Sequence, residues 1–242
     1  GGAGGPGLVT GERAEQLHGL ERRLGYHFAD LDLLDRALTH ASHANEDLSA
    51  AAGDNEPLEF LGDSVLGLVV TDLLHLRDPD GSEGPKSRHR ARLVSAPSLA
   101  RRAADLDLPA LLRLGRGEEK TGGRQKAALW ANAYEALIAA LYLDGGFEVA
   151  HRFVRDEFAA DVEDREVDAE DAKSALQELV QGQGRPLPEY RVAAEEGPSH
   201  RRSFRVECRL DDGLVTEGEG TSKKAAQQQA AERALEHLRP RR

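Results

Sequence analysis

Three carboxylates fall within eight residues in the run Asn55-Glu56-Pro57-Leu58-Glu59-Phe60-Leu61-Gly62-Asp63-Ser64-Val65-Leu66. Glu59 and Asp63 stand four apart, the separation that makes two side chains neighbours on one face of a helix. Glu56 precedes Pro57. A proline disfavours helical geometry in the residue before it and itself suits a first helical turn, so Glu56 is expected at the helix entrance, off the row of the other two. Like charges one turn apart destabilise a helix, and something must offset them. Water around a solvated acidic face would do so, and so would a bound cation. Leu58, Phe60, Leu61, Val65, Leu66 and Leu68 surround the acids and predict a mostly buried helix. Buried carboxylates need a compensating cation, and hard oxygen donors suit magnesium.

The elements that must position these acids can be read on either side of them. Glu12 to Leu24 is helical in pattern and ends at Gly25, and Leu31 to Leu38 forms a second short helix. His40 and His43 follow; such histidines serve as metal ligands, or more commonly in capping and packing. Residues 49–54 read as a polar loop before the acidic helix, which should run to about Leu76. Gly81 to Pro85 punctuates the chain, and Ser87 to Leu93 opens a basic helix with Arg88, His89, Arg90 and Arg92. Those arginines fit a solvated face or phosphate contact. The Gly-rich stretch Leu112 to Arg124 lacks the spacing of a nucleotide-binding P-loop. It leads into a helix from Ala127 to Leu143 that carries Asn132 and Glu135 at i, i+3. Trp130, Ala133, Tyr134, Leu137, Ile138 and Leu141 supply its core, and Gly145-Gly146 ends it. A further helix covers His151 to Ala160, and the acidic run from Asp161 to Asp171 reads as a linker.

Beyond that run the period changes. Ala172 to Gln183 is helical, after which Pro186 and Pro188 break the pattern. Tyr190 to Ala193, Ser203 to Leu210 and Leu214 to Glu217 read as strands. In the middle one Phe204, Val206, Cys208 and Leu210 alternate with charged residues, and Asp212-Gly213 signals a hairpin. Ser222 caps a last helix from Lys223 to Leu238. The expected division is a disordered tail over 1–11, an all-helical domain over 12–162, an acidic linker over 163–170, and an α-β-β-β-α domain over 171–242.

The net charge of the 242-residue chain is −11, which excludes a simple basic nucleic-acid binder. The charge is uneven. From Asp171 onward there are 13 basic and 12 acidic residues, a net of +1, and the first 170 residues hold 19 and 31, a net of −12. Two domains of such different charge suggest two tasks. No apolar run is long enough to span a membrane, and the Gly-rich start lacks the hydrophobic segment of a secretion signal. The absence of any Met predicts that the native start is missing or processed. A lone cysteine, Cys208, cannot form an internal disulfide and is compatible with a reducing cytoplasm.

The long gapless run Asn-Glu-Xaa-Leu-Glu-Phe-Leu-Gly-Asp-Ser-Val-Leu resembles the signature of the ribonuclease III family. The order α-β-β-β-α, with Gly-Thr-Ser-Lys-Lys-Ala-Ala near the last helix, resembles a double-stranded-RNA-binding domain over about Asp171 to Leu238. Together the resemblances imply a magnesium-dependent, cytoplasmic endonuclease of double-stranded RNA, with manganese able to substitute. Such an enzyme processes rRNA and mRNA precursors. Glu59, Asp63 and Glu135 would be catalytic and, with Asn132, would hold the metal, which activates a water and stabilises charge on the phosphorus oxygens. The family often has Asp-Xaa-Xaa-Glu where this chain reads Asn132-Ala133-Tyr134-Glu135, so one expected carboxylate is an amide. Glu56 and Glu83 are possible accessory acids. Homodimerisation is implied, with Phe60 near the two-fold contact or, alternatively, in ordinary core packing. The implied products carry 5′-phosphate and 3′-hydroxyl ends with short 3′ overhangs. RNA contacts would come from Ser174, Gln177, Glu178 and Gln181 on the first helix of the second domain, from His200, and from Lys223 and Lys224. Gln227 stands where such domains often have a further lysine. The alternative is a non-cleaving double-stranded-RNA-binding regulator with a degenerate nuclease site.

Overall fold

The computed structural model describes residues 9, 11–46, 53–163, 172–196 and 202–238. The chain forms two compact units. The first takes the described residues up to Asp80 together with Arg90–Val162, and the second takes Gly81–His89 and the described residues from Glu163 onward.

Helices α1 (Gly11–Leu24), α2 (Leu31–Ala37) and α3 (Ala41–Glu46) lead to the long helix α4 (Glu56–Arg77). Helix α5 (Glu83–Leu93) follows, then α6 (Ala96–Asp105), α7 (Leu108–Leu111) and α8 (Arg116–Lys120). A 3-10 turn, Gly123–Gln125, precedes α9 (Ala127–Gly145), and α10 (Phe147–Glu163) closes the series. The organising element is α9, whose Ala133, Tyr134 and every residue from Ala136 to Leu141 are buried. A helix apolar on all sides must be surrounded. Here α4 and α6 pack against it, and Leu66, Leu99, Leu137, Ile138 and Phe158 share one core. Arg102 reaches into that core with its guanidinium 3.7 Å from the centre of the Phe158 ring and its charge met by Asp161.

The start of α4 is fixed from outside the helix. Thr39 forms a parallel bridge with Arg113, the Asn55 amide donates to the Thr39 carbonyl at 2.9 Å, and the Arg36 side chain donates to the Asp54 carbonyl at 2.9 Å. The Glu56 amide donates to the Asp54 carboxylate at 3.1 Å, so an acid caps the first turn. Glu56 opens the helix, as Pro57 predicts.

In the second unit α11 (Ala172–Gly182) precedes an antiparallel meander of β1 (Glu189–Glu196), β2 (Ser203–Arg209) and β3 (Val215–Gly220), followed by α12 (Lys223–Leu238). Leu176, Val180, Cys208, Leu210, Ala230, Ala231 and Ala234 form its core. Gly218 lets α12 lie directly on β3, because a Cβ there would fall 2.2 Å from the Ala226 carbonyl oxygen. The two-domain architecture, all-α followed by α-β-β-β-α, is the one expected.

Several local expectations need correction. Phe60 and Leu68 are exposed, so the apolar residues of α4 do not all face the core. Residues 112–124 contain α8 and most of the 3-10 turn, where Glu118 and Glu119 pair with Lys126 and Arg124. Glu83 is the first residue of α5, and its carboxylate accepts from the Ser87 hydroxyl. Asp161 to Glu163 belong to α10, and residues 164–171 of the acidic run lie outside the described residues, as does most of the 1–11 tail. His89 is buried, which removes it from any phosphate-facing surface. Helices α3, α6 and α7 add to the elements read from the sequence.

Candidate active site

Helices α4 and α9 touch backbone to backbone at Gly62. A Cβ on Gly62 would fall 1.8 Å from the Glu135 carbonyl oxygen, far inside any tolerated contact. This approach sets the side chains flanking Gly62 on α4 near those of α9. The Asn132 amide donates to the Glu59 carboxylate, and Glu135 feels the charges of both Asp63 and Glu59. The structure therefore brings together Glu59, Asp63, Asn132 and Glu135, four residues read from two separate stretches of sequence.

The electrostatics of the cluster are costly without a cation. Burial and the neighbouring Asp63 and Glu59 carboxylates push the Glu135 carboxyl up to about 7. Burial also raises Glu59, as does the adjacent Glu56; the Asn132 hydrogen bond and the His40 imidazole oppose that rise. Asp63 is exposed, whereas Glu59, Asn132 and Glu135 are half-buried, so the cluster opens to solvent on one side. The donor chemistry of this set suits a divalent ion, although the three carboxylates do not all lie within 4.8 Å of one another here. All available donors are hard oxygens, and positive charge would relieve the repulsion that raises Glu135.

Two contributors were missed in the sequence. Gly62 is one. Its signal was a glycine inside a strongly apolar helix, which costs about 1 kcal/mol relative to alanine and points to a close backbone approach. His40 was weighed only as a ligand or cap. Its Nδ1 accepts from the Ser42 amide at 3.2 Å, a capping role, and the ring lies within electrostatic reach of Glu59 and Glu118.

The second unit presents a different surface. Ser174, Gln177, Glu178 and Gln181 are all exposed at i, i+3, i+4 and i+7 of α11, along one face. Lys223 and Lys224 are exposed in the first turn of α12, where the Ser222 hydroxyl caps the Ala225 amide at 3.1 Å. Lys223 lies 5.6 Å from the centre of the Phe204 ring and 4.0 Å from a Glu195 carboxylate oxygen. Gln227 accepts from the Lys173 ammonium at 2.9 Å, and Gln228 accepts from the Lys173 amide at 2.8 Å, so the glutamine at 227 joins α12 to α11. His200 lies outside the described residues.

These two units define a helical nuclease joined to a duplex-RNA-binding module, and comparison with known proteins agrees. Residues 30–162 match the model described as Ribonuclease-III-like, and residues 172–238 match the Double-stranded RNA binding motif. The protein named Ribonuclease 3 of Bdellovibrio bacteriovorus is 48% identical over 221 residues, covering 90% of this chain and 94% of that one. Ribonuclease 3 of Magnetococcus marinus is 47% identical over 228 residues, covering 92% and 93%. Among solved structures, the nuclease domain of ribonuclease III from Campylobacter jejuni superposes with a TM-score of 0.54 at 38% identity, covering 59% of this chain and 99% of that one. The chain belongs to the ribonuclease III family. It is an endoribonuclease specific for double-stranded RNA. No helix among the described residues is long and apolar enough to cross a membrane.

Proposed function

We propose that the enzyme hydrolyses duplex RNA with magnesium held by Glu59, Asp63, Asn132 and Glu135, and that manganese substitutes. The observation that carries this reading is the backbone contact at Gly62, which sets Glu59 and Asp63 of α4 near Asn132 and Glu135 of α9. Burial and the Asp63 and Glu59 charges raise the Glu135 carboxyl, a repulsion that a bound cation would relieve. Bound magnesium supplies Lewis-acid activation of a water and offsets charge developing on the scissile phosphate. The chain's own contribution is positioning. Asn132 holds Glu59 by a hydrogen bond, and the close contact of α4 with α9 sets the carboxylates on facing helices before RNA arrives. Glu56, at the entrance of α4, is an accessory acid that adds to the local negative charge. Glu83 retains the same accessory assignment on the motif resemblance alone.

The products are 5′-phosphate and 3′-hydroxyl ends. The enzyme works as a homodimer, and two cuts leave short 3′ overhangs. Phe60 is assigned to the dimer contact: the residue is 79% exposed in the single chain and so free to pack against a partner. The nuclease domain of the Campylobacter jejuni enzyme likewise has a structurally flexible region involved in dimer formation. RNA is gripped through Ser174, Gln177, Glu178, Gln181, His200, Lys223 and Lys224. Polar side chains suit the 2′-hydroxyls of the shallow minor groove, and lysines at a helix start suit phosphates. The substrates are rRNA and mRNA precursors, met in the cytoplasm.

Incubating end-labelled duplex RNA with the full chain tests this reading. Magnesium should give cleavage to 5′-phosphate ends, and a chelator should abolish it. Binding without cleavage at any magnesium or manganese concentration would instead establish the non-cleaving regulator.

A further inference from the structure

A second cluster of metal-binding type lies on α1, apart from the acids of α4 and α9. His18, Glu21 and His27 bring three ligand atoms within 4.8 Å of one another, and no other such group of His, Cys, Asp or Glu occurs among the described residues. Both imidazoles point Nδ1 at the same carboxylate oxygen. Glu21 Oε2 lies 2.7 Å from His18 Nδ1 and 3.0 Å from His27 Nδ1. The other oxygen, Oε1, accepts from the Phe28 amide at 2.6 Å.

The carboxylate is the fixed point of this arrangement. Its side chain is 5% exposed, whereas those of His18 and His27 are 46% and 81% exposed. A buried carboxylate oriented through one oxygen by a backbone amide, with the other oxygen directed at two imidazoles, supplies the ordered outer contact that metal ligands commonly need. The present distances are those of hydrogen bonds. Tetrahedral zinc needs its donors about 3.3 Å apart, given metal–ligand distances of about 2.0–2.2 Å. The ligand atoms of the two imidazoles lie within 4.8 Å of each other, so both exposed rings would shift to set the three donors at that spacing, and each would move its proton from Nδ1 to Nε2.

We propose that His18, Glu21 and His27 form a zinc site, with the fourth position open to water. Two imidazoles and one carboxylate favour a borderline ion over magnesium, whose preference for oxygen donors directs it to the acids of the active site. The site ties the last turns of α1 to the segment after Gly25, which delivers the buried Phe28 and the α2 cap Asp30. Zinc there would brace the end of α1 against this segment, and the proposal is independent of the nuclease assignment.

The test is a zinc titration of the full chain in saturating magnesium, which keeps the oxygen-donor cluster filled. It is followed by calorimetry and by counting bound zinc after dialysis. The parent should bind one more zinc than His18→Asn/His27→Asn, with a dissociation constant in the micromolar range or tighter, and zinc should raise the melting temperature of the parent but not of that variant. Glu59→Gln/Asp63→Asn should keep the extra zinc, which separates this site from the catalytic one. His27→Asn alone, at the most exposed ligand, should weaken binding at least tenfold with the fold intact. Equal zinc uptake and affinity in the parent and the folded His27→Asn variant would overturn the proposal.

Discussion

Glu135 has the most perturbed environment in the candidate site. Its folded-state carboxyl titrates at about 7, against an ordinary value of 4.5, through burial and the charges of Asp63 and Glu59. The folded protein therefore holds a proton that the unfolded chain releases. The stability Glu135 contributes is fully present below about pH 4.5 and is lost as the pH rises through about 7. Chelated protein should melt at progressively lower temperature across that window, and Glu135→Gln should flatten this part of the profile. If the two profiles run parallel, the charge repulsion drawn here is absent. Asn132 supports a second expectation. With Asn the four residues carry three formal negative charges; with Asp they would carry four, and charge count tunes affinity at oxygen sites. The natural enzyme should need more magnesium for half-maximal cleavage than Asn132→Asp, and Asn132→Ala should need more still or fail. Coincident midpoints would remove position 132 from the metal site. The four residues were legible because i, i+4 and i, i+3 spacings place side chains on helix faces, while their meeting across two helices came only from the family resemblance. Periodicity carries no information about which helices cross.

At the level of elements, the crossing of α4 and α9 depends on one missing side chain. A methyl group at position 62 collides with backbone, which cannot move aside as a flexible side chain could. Gly62→Ala should cost about 3 kcal/mol or more and lower the melting temperature of the nuclease unit by roughly 6–10 °C. Cleavage should fall further than stability, because the same shift separates Asp63 from Glu135. Unchanged melting and activity would mean that the helices do not touch there. In the second unit, Lys223→Ala/Lys224→Ala should weaken duplex binding and flatten its salt dependence by about two in log–log slope, the loss expected for two phosphate contacts. A slope unchanged within error would exclude these lysines from the interface. The helix–strand order was readable because the apolar period switches from helical to alternating. Helix α6 was passed over because Arg101, Arg102 and Asp105 mask its apolar face, and Arg102 is in fact buried on Phe158. The exposure of Phe60 and Leu68 is unreadable for another reason: an exposed apolar residue and one buried in a core look alike in sequence.

Across the full chain, the uneven charge reflects separate tasks. An acidic unit that must approach RNA needs its carboxylates neutralised, while the nearly neutral unit offers lysines and polar groups without that penalty. Cutting and gripping should therefore be separable by one substitution. The most direct measurement compares Glu135→Gln with the parent on one labelled duplex, recording single-turnover cleavage in magnesium and equilibrium binding in the same buffer. The variant should lose cleavage by several orders of magnitude and bind the duplex as tightly as the parent or more tightly, since one negative charge near the phosphates is gone. Cleavage by Glu135→Gln at the parent rate would contradict the metal site proposed on α4 and α9, because the residue under the greatest electrostatic pressure would then have no part in the chemistry.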